Sequence, residues 1–285
     1  MSADAGWPGY GVDADPALRE QTARALWDKA LALSRSERAE EAIAVYDEII
    51  ARYAEDPEAT LRRAVAGALW NKGNWLGESG RFEEEIAVCT DIVLRDAEAP
   101  EVALREQAAW ALASKGSALG LLGRSDEEIA VYDEVVDRFG DDPEGAFREP
   151  VSVALLRKGL ALGVLERWDD ANAVYDAIVE RYGDAPEPLV RQHAAAALFN
   201  KGLRLGALGR WEEEIAVNSM VVNRYADDPG SEYRAVSDAV RNKAFRLRAL
   251  GRVEEAMETL HAAAKRGERR RSASPSPLIS SARAH

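Results

Sequence analysis

Apolar residues recur along the chain at three- and four-residue intervals. Leu61, Val65, Leu69 and Leu76 form one such stripe, and Ile86, Val88, Ile92 and Val93 form another. That spacing places each set on one face of an α-helix. No segment alternates with period two for long, so strands are not expected. Helix punctuation stands between the stripes. Asp15-Pro16, Asp56-Pro57, Asp142-Pro143 and Asp228-Pro229 each join a capping carboxylate to a proline suited to a first turn. Gly80, Gly123, Gly209 and Gly251 mark turns, and Glu166 takes that place in the fourth copy. Pro150 falls inside a first helix and predicts a kink or a displaced start.

These signals repeat in register. Lys29, Lys72, Lys115, Lys158, Lys201 and Lys243 are spaced 43, 43, 43, 43 and 42 residues apart, most of them followed by glycine. Pro57, Pro100, Pro143, Pro186 and Pro229 keep the same period. A fixed period of this length marks a solenoid, in which each helix pair buries its apolar face against its neighbours. The expected fold is all-α, a right-handed superhelix of six antiparallel helix pairs. The repeats are placed at about 15–56, 57–99, 100–142, 143–185, 186–228 and 229–265. A flexible segment over 1–14 precedes them, and a basic disordered tail over 266–285 follows. Gly73, Gly116, Gly159 and Gly202 recur within first helices, where glycine costs about 1 kcal/mol against alanine. Their recurrence predicts a close approach by the neighbouring helix.

Composition narrows the chemistry. The 285 residues carry a net charge of −13. Residues 265–285 hold six basic side chains against the single acid Glu268, which leaves −18 for residues 1–264. So acidic a body repels nucleic-acid backbones and anionic membranes. No apolar run is long enough to span a bilayer, and the N-terminus has no signal-peptide pattern, so a cytoplasmic protein is expected. Cys89 is the one cysteine and His193, His261 and His285 stand apart, so no metal site or cofactor is expected. Phosphate-loop, nucleophile-elbow and zinc-helix motifs are absent from the sequence. The runs Glu83–Glu85, Asp126–Glu128 and Glu212–Glu214 sit where a second helix begins and suit its dipole. Their repetition argues against a catalytic pair, and an enzyme is not expected.

In repeat three, Leu112, Gly116, Leu119, Gly123, Ile129, Tyr132 and Val135 follow the small-and-large pattern of the tetratricopeptide repeat. The chain resembles that family over nearly 90% of its length. Its 43-residue unit departs from the family's 34 and is similar to the 42-residue repeats of kinesin light chain. Lysine replaces the usual leucine before the glycine, and Glu85, Glu128 and Glu214 replace a small alanine.

The resemblance implies a concave groove, lined by first helices, that binds a protein or peptide ligand. Carried over by register, the groove holds Trp27, Trp70, Asn71, Asn74, Trp110, Ser114, Arg157, Phe199, Asn200, Arg241 and Asn242. The asparagines suit a peptide backbone and the aromatics suit anchors, although aromatics at this spacing also serve as core. A carboxylate clamp of five polar residues, known in some members, is matched only by Asn74 and Arg157. Trp70, Ser114 and Val153 occupy its other places. The lysine column is read as structural, its ammonium groups pairing with second-helix acids such as Asp133 and Asp176. Cys89 is read as packed core. The expected function is a non-enzymatic protein-interaction scaffold. The alternatives are a solenoid that self-associates through its last repeat and a regulatory partner of a separately encoded effector enzyme.

Overall fold

The computed structural model describes residues 15–141, 145–228 and 234–273. Expectations for residues 1–14, for Pro143 and Pro229, and for the tail beyond 273 lie outside them. The described residues form helices α1 (Pro16–Arg35), α2 (Ala39–Tyr53), α3 (Ala59–Glu78), α4 (Phe82–Asp96), α5 (Val102–Leu121) and α6 (Ser125–Phe139). There follow α7 (Arg148–Val164), α8 (Trp168–Tyr182), α9 (Pro188–Ala207), α10 (Trp211–Tyr225), α11 (Arg234–Ala249) and α12 (Val253–Ala273). No strand occurs among the described residues. The fold is the all-α arrangement of helix pairs that the 43-residue period predicts. α12 runs on to Ala273, past residue 265 where the sequence places the end of the last repeat.

The turn inside each pair is built the same way. Its central residue takes a left-handed conformation, with φ of 73° at Gly80, Gly123 and Gly209 and 76° at Gly251. Glycine adopts this without steric cost, whereas Glu37 and Glu166 hold φ of 59° and 58° as ordinary residues. The next residue is always arginine, and its N–H reaches back five residues to a buried leucine carbonyl, as in Arg81 to Leu76 at 2.9 Å. This is a Schellman closure, repeated through Leu33, Leu119, Leu162, Leu205 and Leu247.

The starts of first helices differ from expectation. Asp15 caps α1, accepting from the Ala17 N–H at 3.0 Å with Pro16 in the first turn. α3, α5 and α9 begin later, with Glu58, Glu101 and Glu187 in the capping position. Pro57 therefore lies outside the helix it is expected to open, and Pro100 and Pro186 hold the same place ahead of theirs. Pro150 is the third residue of α7, which is 17 residues long where α1, α3, α5 and α9 have 20. The proline displaces the start of that helix.

By packing the chain divides into two units, residues 1–161 and 162–285. In the first unit α1 packs on α2 and α3, and α3 on α4 and α5. Successive first helices touch one another, whereas α2, α4 and α6 do not. The first helices are thus an inner layer and the second helices an outer one. In the second unit α9 packs on α8, α10 and α11, and a small core joins Ile215, Ala244, Leu247 and Ala256.

The helix-interior glycines prove unequal. A Cβ on Gly116 would stand 2.4 Å from the fully buried Tyr132 ring. On Gly73 the nearest atom would be Val88 Cγ1 at 3.6 Å, an ordinary contact, because Cys89 replaces tyrosine there. Gly202 likewise has room beside Asn218. The close approach holds where an aromatic fills the slot.

Arginines brace neighbouring repeats. Arg81 pairs with Glu84 of its own helix at 2.6 Å and with Glu40 of the previous repeat at 3.0 Å. Arg124 does the same with Glu127 and Glu83, and Arg252 with Glu255 and Glu212. The Arg81 hydrogen bond holds the Glu84 carboxyl below its usual range, and the corresponding arginines do so at Glu127 and Glu255. A second set ties down the loops between repeats. Arg105 donates to the carbonyls of Ala99 and Pro100, and Arg191 pairs with Asp228 at 2.6 Å.

Candidate functional site

Of the features the sequence proposes, the lysine column resolves first. Lys72 bonds Asp47 at 2.5 Å, Lys201 bonds Asp176 at 2.6 Å, and Lys158 bonds Asp133. Each partner lies on the second helix of the preceding repeat. These lysines stitch helices together and offer no free anion-binding stripe. The same register gives Thr90 in place of an acid for Lys115, whose charge acts on Glu127.

The predicted groove residues fall into groups. In the first unit Trp27 is half-buried, 6.1 Å edge-on from the Tyr46 ring. Its six-membered ring covers Gly67, where a Cβ would approach to 2.7 Å. It lines a small cavity of about 280 Å³ with Arg24 and Thr60. Trp70 and Asn71 are half-buried and Asn74 is exposed. The Asn71 amide donates to the Gly67 carbonyl of its own helix at 2.9 Å. One rung of the expected asparagine ladder is therefore spent internally.

Trp110, Ser114 and Arg157 come together. They line one cleft of about 320 Å³ with Glu85, Ser117 and Val153, and Leu121 is 69% exposed at its edge. Trp110, Ser114 and Ser117 lie on α5, Glu85 in the first turn of α4, and Val153 and Arg157 on α7. The lining joins polar and charged side chains to apolar ones. Glu85 rests against Gly77, where a Cβ would stand 2.7 Å from its Oε2. Burial pushes its carboxyl above the usual glutamate range. Ser117 Oγ and Tyr132 Oη are 3.4 Å apart, and burial pushes the Tyr132 phenol up to about 12. Cys89, also buried, is pushed up to about 12 by desolvation and then by Glu85, which leaves it an inert thiol.

In the second unit Phe199 and Asn200 are half-buried on α9, and Arg241 and Asn242 stand on α11. Arg241 pairs with Asp238. It lines two cavities of about 570 and 500 Å³, both larger than the cleft. Size does not make the first the better site. Asp238 takes both Arg241 and Arg234, while Arg266 lies 3.6 Å from Asp227. Its charges are already answered.

Glu85 and Ser117 are not among the groove residues expected from the sequence, and Val153 figures there only at a clamp position. A signal was present: Gly77, Gly120 and Gly206 stand eight residues before Glu85, Glu128 and Glu214. In the fold each glycine makes room for its glutamate. No cluster of three histidine, cysteine or carboxylate side chains that could hold a metal occurs among the described residues. No helix among them is long and apolar enough to cross a membrane.

Known proteins place this architecture. No curated protein matches the sequence. The solved structure of BtubC (BKLC) from P. vanneervenii is 14% identical, covering 92% of this chain and 98% of that one with a TM-score of 0.59. A tetratricopeptide repeat protein from Parabacteroides merdae is also 14% identical, over 86% of this chain and 80% of that one, with a TM-score of 0.51. At that identity the likeness concerns the fold. The sequence profile of the tetratricopeptide repeat matches residues 13–57, 28–103 and 156–231, more than half of the chain. Repeats of this kind are generally protein-interaction scaffolds. With the 43-residue period, the closed helix pairs and the profile in agreement, the chain belongs to the tetratricopeptide repeat family.

Proposed function

We propose that the chain is a non-enzymatic scaffold that holds a peptide segment of a partner protein against the first helices of its first unit. One observation carries this reading. Trp110, Ser114 and Arg157, drawn from two first helices, converge on a single cleft whose mixed polar and aromatic lining suits side-chain recognition. At about 320 Å³ the cleft is at the small end of ligand sites. That size fits one anchoring side chain of a longer segment better than a cofactor. Trp70 and Asn74 on the neighbouring first helix would extend the contact along the peptide.

Affinity capture tests it, comparing the wild-type chain with Trp110→Ala plus Arg157→Ala by quantitative mass spectrometry. The partner recovered by the wild type should be lost from the double variant. Equal recovery would overturn the assignment. Self-association is a second reading, favoured by Val253, Met257 and Leu260, which stay 45–55% exposed on α12. Light scattering over a concentration series checks it, and a monomer throughout removes it.

A further inference from the structure

The repeats supply an internal comparison at the cleft. Glu85, Glu128 and Glu214 occupy one column, each with its carboxyl against a glycine of its partner helix. Two of the three are answered by an arginine of the following first helix. Arg246 Nε bonds Glu214 Oε2 at 2.5 Å, and Glu214 is only 2% exposed. The charge of Arg157 acts on Glu128, together with a hydrogen bond from Tyr132. The Glu85 carboxylate has no hydrogen bond or ion pair among the described residues. The reason is written in the columns. The position of Arg157 holds Ser114 in the preceding repeat, and that of Arg246 holds Ala118 three repeats earlier in the lysine register. Both truncated positions line the cleft. The charge of Arg157 acts on Glu128 and Tyr132.

Resting on the proposed groove, we infer that this cleft takes a basic side chain of the bound partner, an arginine or lysine, whose cation pairs with Glu85 while its stem lies along Trp110. The guanidinium that the chain supplies in two other repeats is here left for the partner to bring. Ser114 and Ser117 offer acceptor oxygens to the remaining N–H groups, and the apolar wall of Ala113, Ala118 and Trp110 suits the methylene stem. A partly desolvated carboxylate binds a cation more strongly than an exposed one does.

The probe is a positional-scanning octapeptide array, read with the full chain. The best peptide is then measured by fluorescence anisotropy beside a version carrying citrulline in place of arginine. Wild type should select arginine or lysine at one position, and the citrulline exchange should weaken binding roughly tenfold. Glu85→Gln should bind both peptides alike, and Glu128→Gln should keep the wild-type preference. Ser114→Arg installs the arrangement of the next repeat and should abolish the selection, with thermal melts confirming that both cleft variants fold. Peptides retained without a basic preference, or a preference unchanged in Glu85→Gln, overturn this inference and leave the groove standing. An array that retains no peptide overturns the groove reading and this inference with it.

Discussion

Repeats two and three share a backbone plan but fill it with different side chains. The slot opposite Gly73 holds Cys89, whereas the slot opposite Gly116 holds a fully buried Tyr132. The outer helix of repeat two ends on Asp96, only 7% exposed, where repeat three has Phe139. Glu85 lacks the cation that Glu128 has. At each point repeat two is smaller, more polar or less compensated, and at one of them it borders the cleft. Close packing and an open binding surface draw on the same positions. Repeat three maximises the first, and repeat two gives up part of it.

Substitutions can break this contrast. Gly116→Ala should destabilise the fold by about 1 to 3 kcal/mol, since the Tyr132 ring cannot swing away. Gly73→Ala should instead be neutral or gain up to about 1 kcal/mol from helix propensity. Chemical denaturation of the two variants reads the difference, and in a Tyr132→Cys background, itself destabilised by the cavity, Gly116→Ala should cost little more. Equal effects at both glycines would dissolve the comparison.

Asp96 gives a pH signature. Burial, ahead of the opposing charge of Arg95, pushes its carboxyl up to about 6. Its folded value lies above its unfolded one, so the cost of the buried charge is fully present above that value. The cost is relieved as pH falls towards the ordinary aspartate range. Asp96→Asn should therefore gain about 1 to 3 kcal/mol at pH 7 and little at pH 4. Thermal melts at both pH values check it, and a gain independent of pH would show that the charge is not the cause.

Smaller effects sharpen the picture outside these repeats. Glu166→Gly should raise stability by about 1 kcal/mol by removing a left-handed non-glycine residue, measurable as a higher melting temperature. Arg81→Ala and Arg124→Ala should each cost least, by equal amounts, because the braces are alike in both repeats. Their effect should fade near 1 M salt, where the screening length is about 3 Å. The braced glutamates titrate in the opposite sense to Asp96. With folded values held low, their contribution is present at neutral pH and lost as pH falls below the ordinary glutamate range.

Much of this was legible in the chain itself. The 43-residue period reveals the helix pairs, the turn glycines mark the left-handed closures, and the lysine column and Asp133 announce their own pairing. These signals are local or strictly periodic. The arginine braces are equally periodic, but their partners lie about 40 residues away, and a reading of one helix at a time assigns the acids to the helix dipole alone. The helix starts were misplaced for a simpler reason. Pro57 and Pro100 sit one residue before a capping glutamate, and a proline just outside a helix reads much like one just inside. The cleft is visible only by comparing columns, because what defines it is a missing arginine. Trp27 shows how one residue serves two ends: its ring covers Gly67 of the next helix and also lines a small cavity.

The two layers also differ as mechanical elements. Inner helices of the first unit touch their successors along their length, while outer helices are linked by long side chains at their ends, the braces at the turns and Arg95 reaching the Ala54 carbonyl. A row of contacts along one side and reaching, screenable links along the other behaves as a hinged strip with springs. Curvature within such a unit becomes an adjustable quantity, stiff at low ionic strength and compliant when the springs are screened. A ligand lying along the hinges would sense that compliance as a change in the spacing of its own anchors.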